Sequence, residues 1–194
     1  MRCTWQTLSA FAVIMSARHA SAHEGDHSCM LHMVSLWVTT LHVASLESEH
    51  PAFAETDRTV GAAGVSAAYA ILAKALELRV RGEYLKPFPD DETLREDLHR
   101  FRAVFAPAIV VPLIEDRLDL VGGFDAGVVD FWLEDVGHAI GWSASAGLEL
   151  RGWVTWHTGF GVGVRAGYDE ADDDTFALRS AWPIALSLSY SDRF

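Results

Sequence analysis

Residues 178–194 (LRSAWPIALSLSYSDRF) sort by parity into two sets. Leu178, Trp182, Ile184, Leu186, Leu188, Tyr190 and Phe194 make one, while Arg179, Ala181, Ala185, Ser187, Ser189 and Arg193 make the other. A period of two is the mark of a strand, because successive side chains on extended backbone point to opposite faces. One face here carries large apolar and aromatic groups, the other small or charged ones. A soluble sandwich would show the same alternation but would have little reason to finish on a phenylalanine within a strand. The stretch therefore points to a barrel strand whose apolar face meets lipid.

The same period recurs upstream. Residues 30–46 are apolar at both parities (Leu31, Met33, Trp37, Leu41 and Val43 against Val34, Leu36 and Val38), so they predict a first strand of open facing. Residues 47–59 are acidic, hold Pro51 and read as a long loop. A second strand over 61–72 alternates Val65, Ala67, Tyr69 and Ile71 with Gly64, Ser66, Ala68 and Ala70, and the chain must reverse near Ala73. In the third, Leu76, Leu78, Val80 and Tyr84 oppose Glu77, Arg79, Arg81 and Glu83. A helix competes here, since Val65, Tyr69, Leu72 and Leu76 also fall at helical spacing in an alanine-rich region. Residues 86–97 form a second polar loop. Its end predicts a short helix, with Leu94, Leu98, Phe101 and Phe105 at helical spacing behind Asp90 and Asp91. A fourth strand follows over about 103–113, where Pro107 and Pro112 imply a bulge or an early end.

After a turn at 114–116, strands at 117–131, 139–151 and 156–168 are separated by a loop at 133–138 and a turn at 152–155. An acidic loop at 169–175 leads to the last strand. That makes eight, joined alternately by long polar and short connections. Strands of about ten residues cross a bilayer when tilted, provided the sheet closes so that every backbone amide has a partner.

The pattern and the terminal strand together resemble the small eight-stranded OmpA- or OmpX-like outer-membrane barrels, over nearly the whole chain after its first residues. The resemblance implies an all-β, eight-stranded, antiparallel up-and-down transmembrane barrel in the bacterial outer membrane. It also implies contact with outer-membrane lipid and lipopolysaccharide, and recognition of residues 178–194 by the barrel assembly machinery. Asp192 departs from the family, which places an apolar or aromatic residue there. Short turns and longer outer loops fit the class.

The N-terminus predicts a secretory signal over residues 1–22. Arg2 precedes an apolar run from Leu8 to Met15, and Ala20, Ser21 and Ala22 form a small-residue cleavage site. A periplasmic leader at 23–28 and the barrel at 29–194 follow. Removing the signal takes away Arg2 and Arg18 and no acid, so the net charge goes from −12 to −14, which argues against a nucleic-acid partner. Of the two cysteines, Cys3 leaves with the signal and Cys29 stands alone, with no lipoprotein-type run before it.

By parity the inward face collects Glu77, Arg79, Arg81, Glu83, Arg117, Asp119, Asp125, Glu149, Arg151, Arg165 and Arg179, expected as a charged network filling a narrow lumen. Gly, Ala and Ser at many inward positions leave room for a narrow pore as an alternative. Trp142, Trp153, Trp156, Tyr168, Trp182, Tyr190 and Phe194 cluster at strand ends and are expected as two interfacial girdles. His23, Glu24, Asp26, His27, Cys29, His32 and Met33 could ligate a metal, but their spacing matches no closed zinc pattern, so none is expected. The acidic loops lack the glycine and glutamate of a calcium loop. His138, Ser143, Ser145, His157 and Thr158 form no Ser/His/acid arrangement at matching parity, so neither enzyme chemistry nor a cofactor is expected. The expected role is structural or interaction-type. A soluble periplasmic lipocalin-like barrel holding a lipophilic ligand is the alternative, and it differs in which face of every strand is wet.

Overall fold

The computed structural model describes residues 30–43, 45–47, 60–73, 75–88, 98–134, 136–172 and 177–194. The expected signal, the leader, Cys29 and most of the loops at 47–59 and 86–97 lie outside them. Among the described residues the strands are β1 (Leu31–Val43), β2 (Ser45–Glu47), β3 (Val60–Ala73), β4 (Leu76–Phe88), β5 (Leu98–Ile114), β6 (Leu118–Leu133), β7 (Gly137–Trp153), β8 (Thr158–Asp172) and β9 (Ala177–Arg193). Neighbours in the sheet are antiparallel and follow chain order. β1 also pairs with β9, so the sheet closes on itself. β1 and β2 are successive stretches of one wall strand, for His42 lies opposite Ile184 and Ser45 opposite Ala181 in continuing register. The wall is thus a closed antiparallel barrel of eight staves.

The ladders climb around it. Starting at Trp37, the register runs through Ser66, Glu83, Arg102, Val129, Gly141, Ala171 and Leu178, one residue from the pair Arg179↔Glu47 in β2, and so does not return to its starting point. Such a stagger tilts the strands and sets how wide the lumen is. Closure leaves no exposed edge, which is what a lipid environment demands of a sheet.

Facing follows parity. Outward, Leu76, Leu148, Val162 and Leu188 are 43%, 53%, 54% and 65% exposed, and an apolar surface of this kind runs around every long stave. Inward lie the buried arginines and acids. A lipocalin-like interior would require the reverse. β1, apolar at both parities, turns Met33, Ser35, Trp37 and Thr39 inward and Val38 outward.

Four expectations are corrected by pairing. Residues 98–105 are strand, not helix: β5 begins at Leu98 and is laddered to both β4 and β6. The helical spacing of Leu98, Phe101 and Phe105 is overridden, and in the strand Leu98 points in while the two phenylalanines point out. Pro107 does not end the strand. Its missing N–H falls in a gap of the β5–β6 ladder between Phe105↔Ala126 and Ala108↔Gly123, whereas the register does shift between Pro112 and Ile114. The connection between β6 and β7 is a turn of three residues, with Gly137 at φ 137° at its exit, not a long loop. Finally, Asp169 to Asp172 continue β8.

β9 holds a further irregularity. The β8–β9 register shifts between Arg165↔Ala185 and Gly167↔Trp182, so β9 carries an extra residue around Pro183, which cannot donate to a ladder. Parity inverts across this point. Ala185, Ser187, Ser189 and Ser191 face inward on one side of it, and Leu178, Ser180 and Trp182 face inward on the other.

Candidate functional site in the barrel lumen

Read from the loop end towards the short turns, β4 alone supplies Leu85, Glu83, Arg81, Arg79 and Glu77 to the lumen, all buried. The other staves repeat the order: an apolar layer, then charge, then an apolar layer again. At the loop end Leu85, Leu98, Phe131, Leu133, Leu178 and Trp182 pack together across the lumen. At the turn end Met33, Leu72 and Trp153 do the same. The charges lie between these two layers.

They form two clusters. Nearer the turns, Glu77 and Glu149 meet Arg79 and Arg151. Arg151 reaches Glu77 at 3.1 Å and Glu149 at 3.2 Å, Arg79 reaches Glu149 at 3.3 Å and also pairs with Glu77, and Ser189 Oγ donates to Glu149 at 2.7 Å. Nearer the loops, Glu83 accepts from Arg100 (2.9 Å), Arg102 (3.3 Å) and Arg165 (2.8 Å). One oxygen of Asp125 accepts from both Arg81 (3.2 Å) and Arg165 (3.3 Å), and its other oxygen takes the Ser145 hydroxyl. Asp169 accepts from the Trp182 indole N–H (3.0 Å) and from Ser143, and forms an ion pair with Arg100 at 2.7 Å. Buried charges are tolerated only when paired and hydrogen-bonded in this way.

Rings complete the packing. Trp37 lies under the guanidiniums of Arg81 (4.6 Å) and Arg79 (5.7 Å), and Trp182 under those of Arg100 and Arg102. Inward glycines make room. A Cβ on Gly167 would come within 2.3 Å of the Trp182 ring, and one on Gly161 within 2.8 Å of a Glu149 oxygen. A half-open cavity of about 40 Å³ lies between the clusters, space for roughly two or three waters, bounded on the inside by Trp37, Arg79, Arg81, Asp125, Glu149 and Arg165 and reaching the outward-facing Phe124 and Leu148.

Of the inward charges expected from parity, Glu77, Arg79, Arg81, Glu83, Asp125, Glu149, Arg151 and Arg165 come together here. Asp119 sits lower, accepting from the Trp153 indole at 2.6 Å. Two expectations are corrected. Arg117 is exposed in the turn between β5 and β6, where it contributes its carbonyl to Trp153 N–H. Arg179 is exposed at the loop end and pairs with Glu170 at 3.0 Å, because the extra residue in β9 turns it outward. The same inversion buries Trp182, and Trp153 faces inward by the parity of β7, so neither belongs to a girdle. Trp142, Trp156, Tyr168, Tyr190 and Phe194 do lie on the outer face, Trp142 against Tyr168 and Tyr190 against Phe160.

Sequence reasoning missed Arg100, Arg102 and Asp169. The first two were hidden by a helical spacing, although their alternation with His99, Phe101 and Phe105 is a strand signal. Asp169 was hidden in an acidic run, although it continues the parity of Arg165 and Gly167. It also missed an outer row in which His99 stacks on Trp132 and Trp132 on His138, with Tyr84 bonded to His99 at 2.8 Å.

The candidate catalytic groups do not meet. Ser143 and Ser145 are inside and committed to carboxylates, while His138 is outside, 3.1 Å from Asp130. His157 Nδ1 donates to the Arg193 carbonyl at 2.9 Å. His32 and Met33 point to opposite faces, His32 bonded to Tyr69 and Met33 buried against Arg151. Among the described residues no group of three or more His, Cys, Asp or Glu side chains is arranged to hold a metal.

Comparison with known proteins identifies the fold. The chain is similar to neisserial surface protein A, at 14% identity and a TM-score of 0.55, covering 84% of this chain and 97% of that one. It is also similar to the outer membrane protein OprG of Pseudomonas aeruginosa, at 9% identity and a TM-score of 0.54, covering 87% and 97%. No family model and no curated protein sequence matches it. The small outer-membrane barrel fold is therefore present, at identities that speak to fold alone.

Proposed function

We propose that this chain is an exported protein of the bacterial outer membrane with a structural or interaction role, and that its lumen is a filled ionic core rather than a conduit. The single observation that supports this reading best is the pairing of a continuous apolar outer face with charges enclosed between two apolar layers. An apolar surface of this extent is untenable in water and suits hydrocarbon. The layers of Trp182 with Leu98 and of Trp153 with Met33 deny water a path along the axis. Outer-membrane lipid and lipopolysaccharide are the surroundings this reading assigns to the barrel exterior, and the assembly machinery is the partner it assigns to β9.

Three measurements test it. The protein should leave membranes only with detergent and should migrate differently on gels before and after boiling. Its mature N-terminus should be His23. Reconstituted in planar bilayers it should be silent. Conductance steps that change when Arg79, Arg81 and Arg165 become glutamine would replace the filled core with a narrow pore.

A further inference from the structure

The two ionic clusters differ in balance. In the one nearer the turns, Glu77 and Glu149 match Arg79 and Arg151. In the one nearer the loops, Glu83, Asp125 and Asp169 face Arg81, Arg100, Arg102 and Arg165, so among the described residues one positive charge has no carboxylate of its own. The deficit can be located. Both oxygens of Glu83 are occupied, Asp169 pairs with Arg100 and, at 3.9 Å, with Arg102 besides bonding Trp182 and Ser143, and Asp125, the one carboxylate paired with Arg81, divides that oxygen between Arg81 and Arg165. Arg81 is therefore the least compensated guanidinium. Its Nε and the Nη2 of neighbouring Arg79 are buried donors without a hydrogen-bond acceptor, as are Nε of Arg100, Arg102 and Arg151 and Nη2 of Arg100, but of these residues Arg79 and Arg81 alone border the cavity between the clusters. Trp37, which also borders it, offers these cations a ring face, a partial counter-charge at best.

We propose that this cavity is a binding site for one small monatomic anion of halide type, held by Arg81 Nε and Arg79 Nη2 with Arg165 alongside. An uncompensated cation enclosed in protein and surrounded by hydrocarbon is costly, and a halide cancels it while accepting the two orphaned N–H groups. The carboxylates of Asp125 and Glu149 that also border the cavity are already bonded to arginine and to Ser145 or Ser189. The volume admits an ion of this size and one companion water but no organic solute. The ion acts as an internal counter-charge that completes the core.

The mature protein is refolded into detergent micelles at constant ionic strength in sodium chloride, sodium bromide or sodium gluconate, and its thermal midpoint is read from the gel shift. Chloride and bromide should raise the midpoint saturably, by roughly 5 °C over gluconate. Arg81→Gln removes the surplus charge and should abolish the difference between salts. Should that variant fail to fold, Arg81→Lys keeps the charge, loses Nε and should weaken the halide response. Crystals of the unaltered protein grown with bromide should show an anomalous peak beside Arg81 Nε. Midpoints that are the same in all three salts, or an ordered water without anomalous signal at that place, overturn the proposal.

Discussion

Glu83 is the side chain on which most of the loop-side cluster depends, since Arg100, Arg102 and Arg165 all converge on it. Replacing it by glutamine removes the carboxylate that three buried guanidiniums share and leaves Arg102 with Asp169 alone, at 3.9 Å. We expect Glu83→Gln to lower stability by about 3–5 kcal/mol, the usual consequence of removing one partner from a buried pair, measured as the urea midpoint of tryptophan fluorescence in micelles. Arg179→Ala, which breaks the exposed pair with Glu170, should change it by less than about 1 kcal/mol. Equal effects would mean that the enclosed and exposed pairs share one environment. Room is the second quantity set by single residues. A methyl group on Gly167 would collide with the Trp182 indole and with Ser145, so Gly167→Ala should cost about 1–3 kcal/mol on the same assay.

At the level of the strand, the alternation in β3, β4, β6 and β7 was readable because each keeps one parity from end to end. β4 shows this best, where Glu77, Arg79, Arg81 and Glu83 alternate with Leu76, Leu78 and Val80. Reading failed where local chemistry and pairing disagree. Residues 98–105 satisfy helical spacing as well as strand spacing, and only the ladders to β4 and β6 decide between them. In β9 the proline at 183 gives notice of an irregularity but not of its sign. Whether an extra residue turns Trp182 in or out depends on the register against β8, which no single strand encodes. Deleting Pro183 removes the extra residue and would rotate Leu178 and Trp182 to the lipid face. The variant should lose its gel shift, whereas Pro183→Ala, which keeps the residue count, should retain it. On the outer faces, Leu148→Arg should cost about 2–4 kcal/mol if the middle of β7 lies at the bilayer midplane, read from the urea midpoint after folding into lipid vesicles.

For the barrel as a whole, the layers predict that its two seals act together. Trp153→Ala combined with Trp182→Ala should admit water to the core and produce small conductance events, while either change alone leaves one layer standing. Silence from the double variant would place the barrier in the ionic clusters themselves. The ladder of β1 on β9, with Met33 opposite Arg193, bears on biosynthesis. Its two partners stand at opposite extremes of the described chain, so the sheet keeps two unpaired edges, one on β1 and one on the newest strand, until β9 has emerged. Such a polypeptide has no stable halfway house. Until β9 arrives it presents raw hydrogen-bonding edges and an oily flank, and something in the cell must keep it apart from its copies in the meantime.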